Sequence, residues 1–363
     1  MSIRRDGWIC LFCFSAVCGW AQQSGPAGQS EPPASVPLVS ASRQTTLDVV
    51  VTDKSGKPVS GLEQKDFTLL DNKQPQKIVS FQAVEGAAAT ADQPVEVIVL
   101  VDTVNTEFTN VAIERKEIEK FLGRSGGALA QPVSMIFFSD SGATGTLSSR
   151  DGNAVIADLN QKQLGLRAIG RAQGSYGGFE RMQMSLSTLQ KLADFEATMP
   201  GRKLVVWISP GWPFLTSGMD QVLTSERQKQ WFFTSIVALS DGLRRARITL
   251  YNIDPLGTAD ALSLRTDYKQ FLKPVKKAGQ ADLGDLALQV LASQSGGLVL
   301  NSSNDLAGEI ATCAADPNNY YVLSFEGLPG DGPNEYHALE IKIDKPGLTA
   351  RTRSGYYAQP ERK

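Results

Sequence analysis

The chain has 363 residues, enough for a core of ordinary size and for more than one folding unit. Its 36 basic and 38 acidic residues nearly cancel, which leaves no global field to favour nucleic acid or an acidic membrane surface. One histidine and four cysteines supply too few nitrogen and sulfur ligands for zinc chemistry.

At the N-terminus, Arg4 and Arg5 precede the apolar run from Trp8 to Val17, and Gly19-Trp20-Ala21 follows. Basic, apolar and cleavage regions in that order predict an export signal over 1–21, cut near Ala21. The run is too short to cross a bilayer, so no transmembrane anchor is expected in the mature chain, which would be periplasmic, envelope-associated or secreted. Ser15-Ala16-Val17 is a poor lipidation context for Cys18. Cys10, Cys13 and Cys18 would leave with the signal, so Cys313 could form no internal disulfide and reads as a small buried apolar residue rather than a nucleophile. Residues 22–42, rich in proline and small polar side chains, read as a flexible linker.

From Thr45 the texture is β: TTLDVVVTD, DFTLLDN and QKIVSFQAV, separated by short turns, predict a β segment over 43–85. A second β segment, over 326–358, has Leu339, Ile341 and Ile343 alternating with charged residues. Neither has enough strands to be stable alone, so the two are expected to pack beside or pair with each other. Between them, over 94–325, six apolar runs read as strands covered on both faces: VEVIVLV, VSMIFF, KLVVWIS, ITLYNID, GLVLNS and YYVLSF. Helical spacing separates them, as in Met182, Leu186, Leu189 and Ala193, in Phe232, Ile236, Leu239 and Leu243, and in Leu283, Leu286, Ala287, Val290 and Leu291. Strands alternating with amphipathic helices predict an α/β fold with a doubly wound, mainly parallel sheet, which binds ligands beyond its strands' carboxyl ends.

Enzyme signatures are thin. Gly123-Arg124-Ser125-Gly126-Gly127 has the spacing of a nucleophile elbow, but it follows a predicted helix and precedes a strand, so it reads as a helix stop. Gly174-Ser175-Tyr176-Gly177-Gly178 lacks the lysine of a phosphate loop and reads as a connection. His337 would have to be recruited to any triad from the C-terminal β segment. What remains is an oxygen-rich edge: Asp102, Asn105 and Thr106 after the first strand, then Asp140, Ser209 and Asp254 after later ones. Oxygen ligands suit Mg²⁺ or Ca²⁺, although Asp and Ser after strands also close turns and cap helices.

VIVLVDTVNT, TNVAIERKEIEKFL, the hairpin IFFSDSGATGTL and KLVVWISPGW together resemble a von Willebrand factor A-type domain. The flanks LDVVVTDKSGKPVSGLEQKDFTLLDNKQPQKIVSF and LTARTRSGYYA resemble those of secreted bacterial, acidobacterial-type VWFA-related proteins. The resemblance implies a metal-ion-dependent adhesion site with the pattern D-x-S-x-S. Asp102 and Thr106 match its ends, Val104 replaces the middle serine, Pro210 stands at the later aspartate, and Ser175 is the nearest hydroxyl to the threonine loop. The site is therefore degenerate. No cofactor is expected, with weak Mg²⁺ or Ca²⁺ binding at Asp102 and Thr106 the alternative.

Trp212 and Phe214 enter the same neighbourhood, either as contact aromatics or folded back over the sheet end. The expected function is an exported adhesion-type module that binds a protein or envelope polymer through Asp102, Asn105, Thr106, Asp140, Ser209, Trp212 and Phe214, and is not an enzyme. The alternatives are a hydrolase using the aspartate-rich edge and a structural assembly subunit of the envelope.

Overall fold

The computed structural model describes residues 44–85, 94–161, 175–215, 225–257 and 267–361, the side chains of 108, 109, 175, 176 and 317 excepted. The expected export signal and linker lie outside them. Fifteen strands and six α-helices follow in chain order among the described residues. The first four strands are β1 (Gln44–Thr52), β2 (Phe67–Asp71), β3 (Gln74–Gln76) and β4 (Ile78–Glu85). The middle of the chain is β5 (Val95–Asp102), α1 (Phe108–Leu122), β6 (Ala128–Ser139), β7 (Gly142–Gly145), β8 (Ser149–Asp151), α2 (Gly152–Gln161), α3 (Ser175–Glu196), β9 (Arg202–Ile208), α4 (Glu226–Arg245), β10 (Ile248–Ile253), α5 (Leu288–Gln294), β11 (Val299–Leu300) and α6 (Leu306–Ala315). Four strands close it: β12 (Asn319–Glu326), β13 (Glu335–Ile343), β14 (Thr349–Arg351) and β15 (Gly355–Ala358).

The central sheet runs β11-β10-β9-β5-β6-β7, with β8 also paired to β6. Neighbours from β11 to β6 are parallel, and β7 turns back antiparallel on β6 as the expected hairpin. This is a doubly wound order, with β5 at the point where the connections reverse direction. One face packs against α3, α4 and α5, where Met182, Leu186, Leu189, Phe232, Ile236 and Leu243 are buried at the expected spacing. The other face packs against α1, α2 and α6. The periodic stretch from Leu283 to Leu291 divides into a 3-10 turn over Leu283–Leu286 and α5, because Asp282 and Asp285 form a capping box and Ala287 is extended. Of the stretch expected as a connection, residues 175–178 open α3, and Gly174 lies outside the described residues.

Around Gly123 the helix-stop reading holds. Gly123 caps α1, and Ser125, Gly126 and Gly127 all have positive φ, reversing the chain into β6.

The end segments pair as expected. Strands β14-β1-β12-β4 form one antiparallel sheet and β15-β13-β2-β3 another. Leu47, Val49, Leu69, Tyr321, Leu323, Phe325 and Leu339 share one core with both sheets, which makes the flank a two-sheet sandwich. YYVLSF is a correction to the sequence reading. It is β12, between β1 and β4 in the flank rather than in the central sheet. Its continuous apolar character has a physical cause: Tyr321, Leu323 and Phe325 point into the sandwich, while Tyr320 and Val322 point into the α1/α6 core. Burial on both faces looks the same in sequence whichever layers supply it.

Candidate functional site

Asp102 ends β5, and its side chain is fully buried. Its Oδ1 accepts from the backbone N–H groups of Val104 at 3.0 Å and Asn105 at 2.9 Å. Oδ2 accepts from Asn105 Nδ2 at 2.9 Å and from Trp207 Nε1 at 3.0 Å. The carboxylate thus folds the loop after β5 back on itself and ties it to β9. Asn105 Nδ2 also donates to Ser185 Oγ at 3.0 Å, which couples the loop to α3.

Asp102, Asn105 and Ser209 lie together at the C-terminal edge of the sheet, and Thr106, in the same loop, is buried. Asp140 is not part of that group: it lies exposed at the β6–β7 hairpin, where Ser139 and Ser141 bond to each other. Trp212 and Phe214 are 2% and 5% exposed, so they fold back into the core and do not present a contact surface. Trp212 packs edge-on against Trp207 at 5.2 Å, and Phe214 lies 6.3 Å from Trp212. Gly211 makes this turn possible, since its φ is +103° and a Cβ there would sit 2.4 Å from Gln289 Nε2. Ser175's side chain lies outside the described residues.

The donor set does not fit a hard cation. Both Asp102 oxygens are engaged by protein donors, Val104 is buried and apolar, and Pro210 offers no side-chain oxygen. Thr106 Oγ1 and Asn105 Oδ1 are buried without partners among the described residues, but they are neutral. Among the described residues no three carboxylate, histidine or cysteine side chains converge.

Two acids behind this edge went unnoticed in the sequence reading. Glu114 on α1 is 1% exposed, and neither of its carboxylate oxygens has a hydrogen-bond partner among the described residues. Burial holds its pKa well above the usual range, and the charges of Asp102 and Asp254 add to this. Glu309 on α6 is pushed up to about 7, again by burial first and then by Asp254 and Asp305. Asp102 is raised by burial, against the hydrogen bonds from Asn105 and Trp207. A sequence signal for both glutamates exists: Val111, Glu114 and Ile118, and Leu306, Glu309, Ile310 and Cys313, each place an acid inside an apolar helical stripe.

These acids make stability depend on pH. The folded chain binds the Glu309 proton more tightly than the unfolded chain does. Its stabilising contribution is therefore complete below the usual glutamate value of 4.5 and fades as pH rises through about 7. Glu309→Gln, which cannot ionise, should gain stability relative to the parent on going from pH 5 to pH 8, by on the order of 1 kcal/mol once solvent screening is allowed for. Urea unfolding at the two pH values measures this, and an unchanged difference between the two proteins would show that Glu309 titrates normally.

The open surface near this end is the groove between α3 and α4. Helices that precede parallel strands begin at the sheet's C-terminal edge, and Ser185 fixes α3 there through Asn105. The groove, ≈ 320 Å³, is floored by Leu186 and Leu239 and rimmed by Gln183, Gln190 and the exposed Trp231. None of its lining residues is charged.

No protein-family model matches the chain, and no curated protein matches it. Among solved structures, the chain is similar to the pilus adhesin SpaC from Lactobacillus rhamnosus GG in its open conformation, at 11% identity and a TM-score of 0.39, over 86% of this chain and 47% of that one. It is also similar to the SpRpn10 VWA domain, at 11% identity and 0.30, over 60% of this chain and 94% of that one. A third is the human COPII-coat protein Sec24c, at 10% and 0.32, over 85% and 48%. The chain spans about half the length of the adhesin. Likeness at this level transfers no residue's role.

Proposed function

We propose that this protein is an exported, non-enzymatic binding module that holds a protein or envelope polymer at the C-terminal end of its central sheet without help from a divalent cation. The observation that carries this reading is the Asp102 carboxylate, engaged on both oxygens by protein donors and so built to hold its loop rather than a metal. The contact surface is the uncharged α3–α4 groove, with Trp231 as its aromatic anchor, in the role first expected of Trp212. No helix among the described residues is long and apolar enough to cross a membrane. A hydrolase reading needs an acid–base pair that a substrate can reach, and Asp102 and Glu114, at 0% and 1% exposure, are sealed from solvent. His337 sits in the flanking sandwich, its Nδ1 2.9 Å from Asp71 and beside Tyr356.

Cosedimentation with isolated envelope material tests the reading. Binding should be unchanged by EDTA and should fall about tenfold in Trp231→Ser, the loss of one aromatic anchor. Trp231 is half exposed, so the melting temperature of that variant should stay near the parent's. Release by EDTA, with Trp231→Ser binding normally, would restore a metal-dependent site instead.

A further inference from the structure

At the opposite end of the central sheet, where α4 gives way to β10, the flanking sandwich meets the α/β core around a cavity of ≈ 20 Å³. Arg244, Arg247 and Thr249 line it from the core side, as does Ser295 just after α5. Thr46 and Asp48 of β1, and Thr352 and Arg353 between β14 and β15, line it from the flank. Three guanidiniums therefore converge on one small polar space.

Two of them are paired. Arg247 bonds Asp48 at 2.5 Å, and Arg244 bonds Asp241 at 3.3 Å. Arg353 is 9% exposed, and its guanidinium has no hydrogen bond or ion pair among the described residues. Asp48 and Asp241 lie near enough to favour its charge, but each is held by another arginine. Burial and the neighbouring Arg244 lower Arg353 to about 10, which still leaves it a cation at neutral pH. A buried cation without a counter-charge is costly, and at this junction two carboxylates face three guanidiniums.

We propose that this cavity is a binding site for a small monovalent inorganic anion of halide size, held by Arg353 and bridging the flanking sandwich to the α/β core. The hydroxyls fit that ligand. Thr352 and Ser295 spend their protons on the carbonyls of Asp48 and Ala292, whereas the Thr46 and Thr249 hydroxyls have no partner among the described residues and remain available as donors. Size selects the class as well. The cavity exceeds the ~10–15 Å³ that one water needs, which suits a monatomic anion. Bound there, the anion would neutralise the excess positive charge at the seam where Thr46 and Arg353 meet Arg244 and Thr249. Since it binds only the folded junction, it would stabilise the whole chain by mass action.

Thermal unfolding in sodium chloride or bromide, against sodium gluconate at matched ionic strength, reads this out. The halides should raise the melting temperature by about 3 °C at tenfold above half-saturation, and the rise should continue with the logarithm of halide concentration. Arg353→Met should lose the halide dependence whatever its own stability, while Arg353→Lys should keep a weaker one. In crystals grown in bromide, an anomalous peak should lie beside the Arg353 guanidinium. Equal melting in halide and gluconate, a halide effect that survives in Arg353→Met, or bromide crystals with no peak at Arg353 would each overturn the proposal.

Discussion

Replacing Asp102 by alanine should cost about 3–5 kcal/mol of folding stability, because the substitution strands several buried donors at once. Val104 N, Asn105 N, Asn105 Nδ2 and Trp207 Nε1 all end on this carboxylate, in a position closed to water. Asp102→Asn should cost less, about 1–3 kcal/mol, since the amide keeps one oxygen acceptor but turns its N–H₂ towards groups that are themselves donors. Chemical denaturation measures both. A residue that served a metal would behave differently: Asp102→Ala would be nearly neutral in chelator, and calorimetry would show Mg²⁺ or Ca²⁺ binding that the substitution abolishes.

The second large effect is expected at Trp212, where truncation to alanine should remove about 3–5 kcal/mol. Its ring stands edge-on to Trp207 and fills the space between the end of β9 and the start of α5, in the core shared with Phe232 and Leu288. Its Nε1 is buried without a partner among the described residues, so Trp212→Phe discards an unsatisfied N–H along with some packing and should cost less than about 1.5 kcal/mol. If Trp212→Ala instead left stability unchanged while abolishing binding to envelope material, the ring would be a contact residue, and the groove at Trp231 would lose its assigned role.

The sequence by itself determined the features that depend on near neighbours. Apolar runs such as VEVIVLV and KLVVWIS could only be strands buried on both faces, and the 3.6-residue spacing from Met182 to Ala193 and from Phe232 to Leu243 set the buried sides of α3 and α4. Sparse histidine argued against zinc and triad chemistry, and Val104 and Pro210 depart from the adhesion-site pattern that the family resemblance implies. Only the tertiary structure decided what depends on partners distant in the chain. The Asp102 carboxylate is completed by Trp207, 105 positions later, so its loop-holding role has no local signature. Trp212 was equally compatible with burial and exposure until Gly211 and Gln289 fixed the turn that folds it inward. β12 carries the same double-sided apolar pattern as a central strand, and only its pairing with β1 and β4 assigns it to the flank. The cationic seam at Arg353 draws on β1, α4, β10, the turn after α5 and the segment after β14, five parts of the chain that no periodicity connects; summed over the whole sequence, its excess charge vanishes into a near balance of 36 basic and 38 acidic residues. Charge and burial at a site are set by which side chains the fold brings within a few ångströms, and composition averages that information away.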